Sequence, residues 1–342
     1  MTVALSVVEP SGRPAGDWQY PKPFGWRAVL VAIMGFALLA VTGHRVEMDR
    51  AAVLTGQAVA SATGMGGQSQ VATGLSSVVT KLFPLQIDAR TDVNRIENFD
   101  PNHLPFLAYV EIEETRIQTL NPQTFQLDTV VQSKQVQVQR FGYVLTVLWK
   151  LVETVEIALW GTVLAILAGL PLAFLGARNL VLSRSINLAS RAVVSLFRAV
   201  PELISALFLV LAYGFGPIAG VLALGIHSTG FLGKFFAEDI ENTDPKAQEA
   251  LEAIGANKLK LFRFAILPQV MPQYIAYTLY ILDRNVRMAT VIGLVGAGGI
   301  GQELKGRYDL FNYGHVGTIL VAIFLLVLVL DQLSARLRRA YL

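Results

Sequence analysis

Long unbroken runs of apolar residues, rather than the short alternating segments of a sandwich or barrel, dominate this chain. They cover about Trp26 to Gly43, Val152 to Gly176, Ala192 to Tyr213, Pro217 to Phe236, Gln273 to Gly296 and Val316 to Leu333. Each holds roughly 18 to 25 residues with few charges, enough for a helix to cross about 30 Å of hydrocarbon. The pattern predicts an all-α polytopic membrane protein with about six transmembrane helices.

Between the first and second runs the pattern breaks. Thr91–Asp100 and Gln132–Arg140 are polar, and no continuous core pattern appears. The small-residue stretch Gly56–Ser69 reads either as a flexible linker or as a small-residue helix, and Val130–Val138 alternates weakly, as a strand does. The chain therefore divides into a tail (1–25), a first transmembrane helix (26–44), a loop or insertion outside the cytoplasm (45–145) and a transmembrane domain (146–342). The first run resembles the apolar part of a signal peptide. Its polar leader is long, however, and no A-x-A site follows closely, so we read it as an uncleaved span.

Composition sharpens this picture. Hydrophobic residues make up 53% of the chain and charged ones 15%, with a mean hydropathy of +0.50; soluble domains carry about 25% charged residues. The net charge of +3 is not a nucleic-acid signal, because the basic residues flank the apolar runs. Arg178, Arg184, Arg191 and Arg198 follow one another with no acidic residue between them, and Arg336, Arg338 and Arg339 lie near the end of the chain. The positive-inside rule assigns both segments to the cytoplasm, which places both termini inside and the multi-pass chain in the cytoplasmic membrane, among lipid. With no cysteine, disulfides and thiolate chemistry are excluded, and the four histidines are too scattered for a metal site. No cofactor site is expected.

The most informative segment is not apolar. In Glu241 to Gly255, Asp244 suits an N-cap, Pro245 the first helical position and Gly255 the position just past the end. This predicts a helix over Pro245–Ile254. A second, over Lys258–Leu267, is predicted to stop at Pro268. Short amphipathic helices at a membrane face suit docking into a partner's groove.

Glu249-Ala250, Gly255 and Ile266-Leu267-Pro268 resemble the EAA loop of ABC-importer permeases, an E-A-A triplet followed by a glycine and then I-x-L-P. Leu251 stands where that pattern has its second alanine, and Ala265 precedes Ile266. Leu151–Thr162, Arg198–Leu203, Gly214–Gly220, Leu267–Tyr280 and Asn285–Gly301 are similar to the phosphonate-type permeases with the methionine-importer-like fold, a resemblance covering about Leu151–Arg339. It implies that Glu249, Ala250, Gly255, Ile266 and Pro268 (in a loop at 244–268) couple the chain to ATP-binding cassette ATPase subunits, two copies per transporter. It also implies a second permease copy and an extracytoplasmic solute-binding protein. The implied solute is phosphonate, phosphate or phosphite, with another small solute such as an amino acid as the alternative. Nucleic acid is not among the implied partners. The chain is not expected to be an enzyme, since it has no G-x-x-x-x-G-K-[ST] segment and hydrolysis belongs to the ATPase.

Charges inside apolar runs are costly and so point to function. Asp283, Arg284 and Arg287 lie within the fifth run, with Asp283 and Arg287 spaced to meet on one helix face. Either they form a self-neutralising pair, or Arg287 and, less strongly, Arg284 line an anion path, since guanidinium matches phosphorus oxyanions. His227 and Ser228 in the fourth run are further candidates for that path, with packing as the alternative. Glu202, after Pro201, reads as a cap or kink residue, with a contact to the coupling region as the alternative. Gly296-Ala-Gly-Gly-Ile-Gly301 matches G-x-G-x-x-G but lies between apolar runs without the following acidic residue, so it reads as a site of close backbone packing or a tight re-entrant turn. A secondary transporter would show repeated halves and coupling carboxylates; only Asp283 fits. A nucleotide-using membrane enzyme would need that glycine segment as its site.

Overall fold

The computed structural model describes residues 25–64, 67, 69–97, 99–101, 103–120, 127–181 and 183–341. Most of the expected tail, 1–24, lies outside them. The chain forms two compact units, 1–78 and 79–342.

In the first unit, α1 (Trp26–Arg45) realises the first apolar run, and none of its residues is buried. A turn through Glu47 in the left-handed region leads into α2 (Met48–Ala62), so the first part of the small-residue stretch, Gly56–Ala62, is helical. α3 (Gln70–Leu82) begins in this unit and ends in the second. The second unit continues with β1 (Ala89–Asp92), a short 3-10 turn over Val93–Arg95, β2 (Ala108–Leu120) and β3 (Leu127–Gln139). These strands form an antiparallel sheet in the order β1-β3-β2, with Val138 opposite both Arg90 and Tyr109. The weak alternation at Val130–Val138 thus belongs to the middle strand, where Val136 and Val138 are buried. β2 is an addition to the expectation, carried by Tyr109, Val110 and Ile112 among glutamates.

The remainder is helical: α4 (Gly142–Gly176), α5 (Arg184–Ala199), α6 (Glu202–Tyr213), α7 (Pro217–Glu241), α8 (Pro245–Ala253), α9 (Lys258–Leu261), α10 (Leu267–Gly293), α11 (Gly299–Asp309) and α12 (Tyr313–Tyr341). α4 begins ten residues before the apolar run, since Gly142–Leu151 carries Tyr143, Val147 and Leu151 as buried positions. By length and apolarity, α1, α4, α7 and α12 can cross a membrane, and the α5–α6 pair makes up to five. α10, at 27 residues, is long enough to cross, but Asp283, Arg284, Arg287, Gln269 and Gln273 lower its apolarity.

The run Ala192–Tyr213 was expected as one continuous span, and here the structure corrects the reading. It is broken at Val200–Pro201 with an 89° bend between α5 and α6. Pro201 has no N–H to donate into a continuing helix and disfavours helical backbone at Val200, which is extended.

α4 and α7 form the central pair. Gly161 faces Leu224, and a Cβ there would lie 2.9 Å from Leu224 Cβ; Gly169 faces Leu232 and Gly233, and Gly176 faces Ala237. Residue numbers rise together along both helices, so the two run parallel. The chain must therefore travel back along the bundle between them, and α5 with α6 makes that return. α10 runs the opposite way: Tyr274 stacks on Phe236 at 3.9 Å, whereas Asn285 bonds Ser228 eight residues earlier in α7. α12 pairs its Asp331 with Arg287 and its His315 with Tyr143, so it is parallel to α4.

The glycine segment is a tight turn, as read. Gly298 and Gly299 have φ of 87° and 68°, and a Cβ on Gly301 would lie 2.0 Å from Thr290 O. Glu153 Oε1 and Thr154 Oγ1 of α4 accept the free N–H groups of Gly299 and Ile300 at 3.0 and 2.8 Å, capping α11 from outside.

Gly161→Val should overpack the α4–α7 seam and destabilise the protein by about 1–3 kcal/mol. The measurement is the melting temperature of the purified chain in detergent; an unaltered value would refute the seam's tight packing.

Candidate functional site

The capped loop between α7 and α10 forms as its residues dictate. Asp244 Oδ1 accepts from Lys246 N at 3.0 Å, Pro245 opens α8, and Gly255 takes φ 79°, with Ala256 N donating back to Leu251 O at 3.0 Å. Asn257 caps α9 through Lys260 N at 2.9 Å. The second helix does not stop at Pro268. A π turn over Phe262–Ile266 carries it directly into α10, whose first turn contains Pro268. The wider turn lets Leu267 N reach back to Phe262 O, accommodating a residue without an N–H where a regular helix would be strained.

Of the expected coupling residues, Glu249, Ala250, Gly255 and Pro268 are exposed, while Ile266 is fully buried. Large apolar side chains also stand in the open around the loop: Ile254 is 79% exposed and Leu259 68%. Sequence spacing alone did not single these two out, although each adjoins a helix cap. Inward from the loop lies an apolar cavity of about 530 Å³, bounded by Phe174, Phe262, Met271 and Tyr274, with no ionised side chain in its wall. It offers nothing to an anion.

The ionised groups sit further along α10 in two clusters. In the first, the Arg284 guanidinium pairs with Glu202 of α6 and donates to His227 Nε2 of α7 at 3.0 Å. His227 Nδ1 lies 3.0 Å from Val200 O. A proton on Nδ1 donates to that carbonyl and leaves the Nε2 lone pair for Arg284. Glu202 Oε2 is 3.3 Å from the same imidazole. Glu202 and His227 are buried and Arg284 is one-quarter exposed at its side chain. Glu202 is therefore a counter-ion as well as the first residue of α6, which the sequence did not reveal because Arg284 lies 82 residues away.

In the second cluster Arg287 pairs with Asp283, as the four-residue spacing predicts, and also with Asp331 of α12 at 3.3 Å. Its side chain is 45% exposed. Asp331, the lone acid at the end of the last apolar run, was the missing partner. Ser228 belongs to neither cluster. Its hydroxyl donates to Asn285 Oδ1 at 2.9 Å, and Asn285 Nδ2 donates to Thr162 Oγ1 at 2.9 Å. This closed chain ties α7, α10 and α4 together in the core. Among the described residues no group of three or more His, Cys, Asp or Glu side chains is placed to hold a metal ion.

The model of the binding-protein-dependent transport system inner membrane component matches residues 161–341, just over half of the chain. The chain belongs to that family. It is 54% identical over 257 residues, 75% of this chain and 98% of the relative, to a protein of Stutzerimonas stutzeri named as a phosphite transport system permease, HtxE. It is 41% identical over 191 residues to the phosphate-import permease protein PhnE of Mycolicibacterium smegmatis, covering 56% of this chain and 36% of that one. Among solved structures, a chain of the MetNI methionine ABC transporter in an inward-facing conformation aligns with a TM-score of 0.50 and 23% identity, over 57% of this chain and 97% of that one. This likeness establishes the methionine-importer-like permease fold. As a family member the chain is a permease subunit, an inner-membrane component of a binding-protein-dependent transport system.

Glu202→Gln should leave Arg284 without its counter-ion inside the bundle, at a cost of about 3–5 kcal/mol. The double variant Glu202→Gln/Arg284→Gln should recover part of the loss. A double-mutant cycle on thermal unfolding reads the coupling; additive losses would contradict the pairing.

Proposed function

We propose that the chain forms the membrane path of an ATP-driven importer for a phosphorus oxyanion: phosphite, phosphonate or phosphate. The observation that carries this reading is the 54% identity with the phosphite permease HtxE, which extends over nearly all of that protein. The two arginines that α10 carries into the bundle support it chemically, because guanidinium pairs donors with the oxygens of a tetrahedral anion. An amino-acid solute is the weaker reading, since the likeness to the methionine transporter, at 23% identity, concerns the fold.

In this reading two copies of the chain enclose the path, both termini are cytoplasmic, and residues 45–145 face the solute-binding protein outside. Two ATPase subunits receive the α8–α9 loop in a cleft. Glu249, Ala250 and Pro268, with the exposed Ile254 and Leu259, form the contact; Gly255 sets the turn, and buried Ile266 anchors it. The π turn joins this loop to α10 without a break. A push on α8 therefore reaches Arg284 and Arg287 through one rigid element, and closure of the ATPases alternates access to the path.

Transport follows from exchange of ion-pair partners. Arg287 shares its charge between Asp283 and Asp331 and is half exposed, so an arriving anion competes with carboxylates rather than filling an empty site. Such competition keeps binding weak enough for release. Arg284 and His227 form a deeper station, and Ser228 holds the helices in register beside it.

The test is ATP-dependent uptake of radiolabelled phosphite by vesicles containing this chain with its ATPase and binding protein. Unlabelled phosphate, alkylphosphonate and methionine serve as competitors. Competition by phosphorus oxyanions alone is expected; uptake without ATP would overturn the reading in favour of a secondary transporter. Glu249→Lys and Gly255→Pro should lower uptake at least about tenfold while leaving the chain in the membrane, because each disrupts a docking surface. Arg287→Gln should reduce uptake with ATPase assembly intact.

A further inference from the structure

Among the described residues, Arg198 has no carboxylate within ion-pair distance although its side chain packs inside the bundle. Arg198 lies in the last turn of α5, where the helix approaches α7 so closely that a Cβ on Gly230 would lie 2.7 Å from Arg198 Cγ and 2.9 Å from Val194 O. This contact clamps the arginine stem against the α7 backbone. The guanidinium carbon lies 5.3 Å from the centre of the Phe231 ring. Its Nε is buried and has no hydrogen-bond acceptor, and among the described residues no carboxylate lies within ion-pair distance. A buried guanidinium N–H left without an acceptor is costly, and such orphans are otherwise rare.

Arg198 opens onto a cavity of about 290 Å³ between α4, α5 and α7. Ser195, one turn away on α5, shares its wall, with Lys234 and Glu238 of α7 on the other side, where they pair at 3.5 Å. Arg191 also reaches this wall but is already committed, through Nε to Gly176 O at 2.9 Å and through Nη2 to Glu241 at 2.5 Å. The net excess of charge in the cavity is therefore that of Arg198. The space is several times the roughly 30 Å³ that one water molecule occupies, and its polar wall presents the Arg198 guanidinium, the Ser195 hydroxyl and the Lys234 ammonium, the last shared with the Glu238 carboxylate. That set matches a tetrahedral oxyanion.

Position adds a second line of argument. Phe231 carries Arg198 at 5.3 Å and Arg284 at 4.8 Å, so one ring connects the cavity to the Glu202–His227–Arg284 cluster. The opposite end of the cavity reaches Gly176 and Ala237, which pack in the same part of the bundle as the root of the α8–α9 loop at Leu261 and Ile266. We infer that Arg198, with Ser195 and Lys234, forms an oxyanion site for a phosphorus-centred group on the loop side of the Arg284 cluster. The group is either the free transported anion, held on its way out, or the phosphate of an anionic lipid. The first of these rests on the oxyanion-importer reading; the second does not.

The experiment uses the full-length chain in nanodiscs of phosphatidylcholine, with and without phosphatidylglycerol. Binding of radiolabelled inorganic phosphate is titrated, and retained phosphatidylglycerol is counted by native mass spectrometry. Arg198→Gln should weaken the occupant's binding about tenfold or more, and Arg198→Lys, which keeps the charge but loses the fork, by less. Phosphate bound in phosphatidylcholine discs and lost in Arg198→Gln identifies the free anion. Phosphatidylglycerol retained by the unaltered chain and lost in the variant identifies the lipid. Phosphate and lipid both held equally by the unaltered chain and Arg198→Gln would overturn the site. If Arg198→Gln does not fold, Lys234→Gln, on a half-exposed residue, takes its place, with a several-fold weakening expected and unchanged binding counting against the site. Uptake by the assembled transporter is scored separately: unchanged binding in the variants with intact oxyanion uptake sinks this inference alone, and lipid retention with no oxyanion uptake sinks only the transport reading.

Discussion

Ionised side chains in an apolar bundle must be compensated, and the α10 charges organise the structure around that requirement. Arg284 is neutralised by Glu202 from α6, and Arg287 by Asp283 and by Asp331 from α12. The Glu202 and Asp331 pairings each reach a different neighbour, so satisfying the charges also positions three helices, α6, α10 and α12, against one another. The Ser228–Asn285–Thr162 chain adds α7 and α4 to the same set. Burial of apolar area favours a compact bundle in water but discriminates little within lipid, where these directional contacts and close glycine packing select one arrangement.

That arrangement links the loop side of the protein to its charged interior. α8 and α9 are short and capped, and the loop packs Leu261 and Ile266 into the bundle, whereas Ile254 and Leu259 remain outside. The π turn keeps α9 and α10 continuous across Pro268. A force applied at the loop therefore acts on a helix whose far half holds both arginines. At the other end of α10, the Gly293–Gly301 turn is held by Glu153 and Thr154 of α4, so the helix is anchored at one end and accessible at the other.

In the proposed importer, exchange among ion-pair partners is what holds an anion without trapping it. Arg287 is half exposed between two carboxylates, Arg284 is deeper and shares an imidazole, and Arg198 stands across Phe231 with no carboxylate among the described residues within ion-pair distance. Counter-ion supply thus decreases from one position to the next. The three cations differ in their counter-ions, and that difference comes from neighbours rather than from the arginines themselves.

Much of this was legible in local patterns. Apart from the run broken at Pro201, the helical apolar runs, the Asp244-Pro245 start, the Gly255 stop and the Asp283–Arg287 spacing are set within a few residues by backbone geometry and solvation, and they are present in the fold. Even the decoy glycine segment followed from its apolar flanks. What tertiary structure decided was pairing over long sequence distances. Glu202 reads as a helix-start residue until Arg284 is brought to it from 82 positions away, and Asp331 has no local clue to Arg287. The break at Pro201 was visible as a residue, but its 89° bend depends on where α7 leaves room for α5. Pro268 misled for the complementary reason: a proline stops a regular helix locally, yet packing of Ile266 and Leu261 stabilises a π turn that passes through it. Local propensities act within one turn of helix, whereas counter-ions and bends are chosen by whichever helices the whole bundle places side by side.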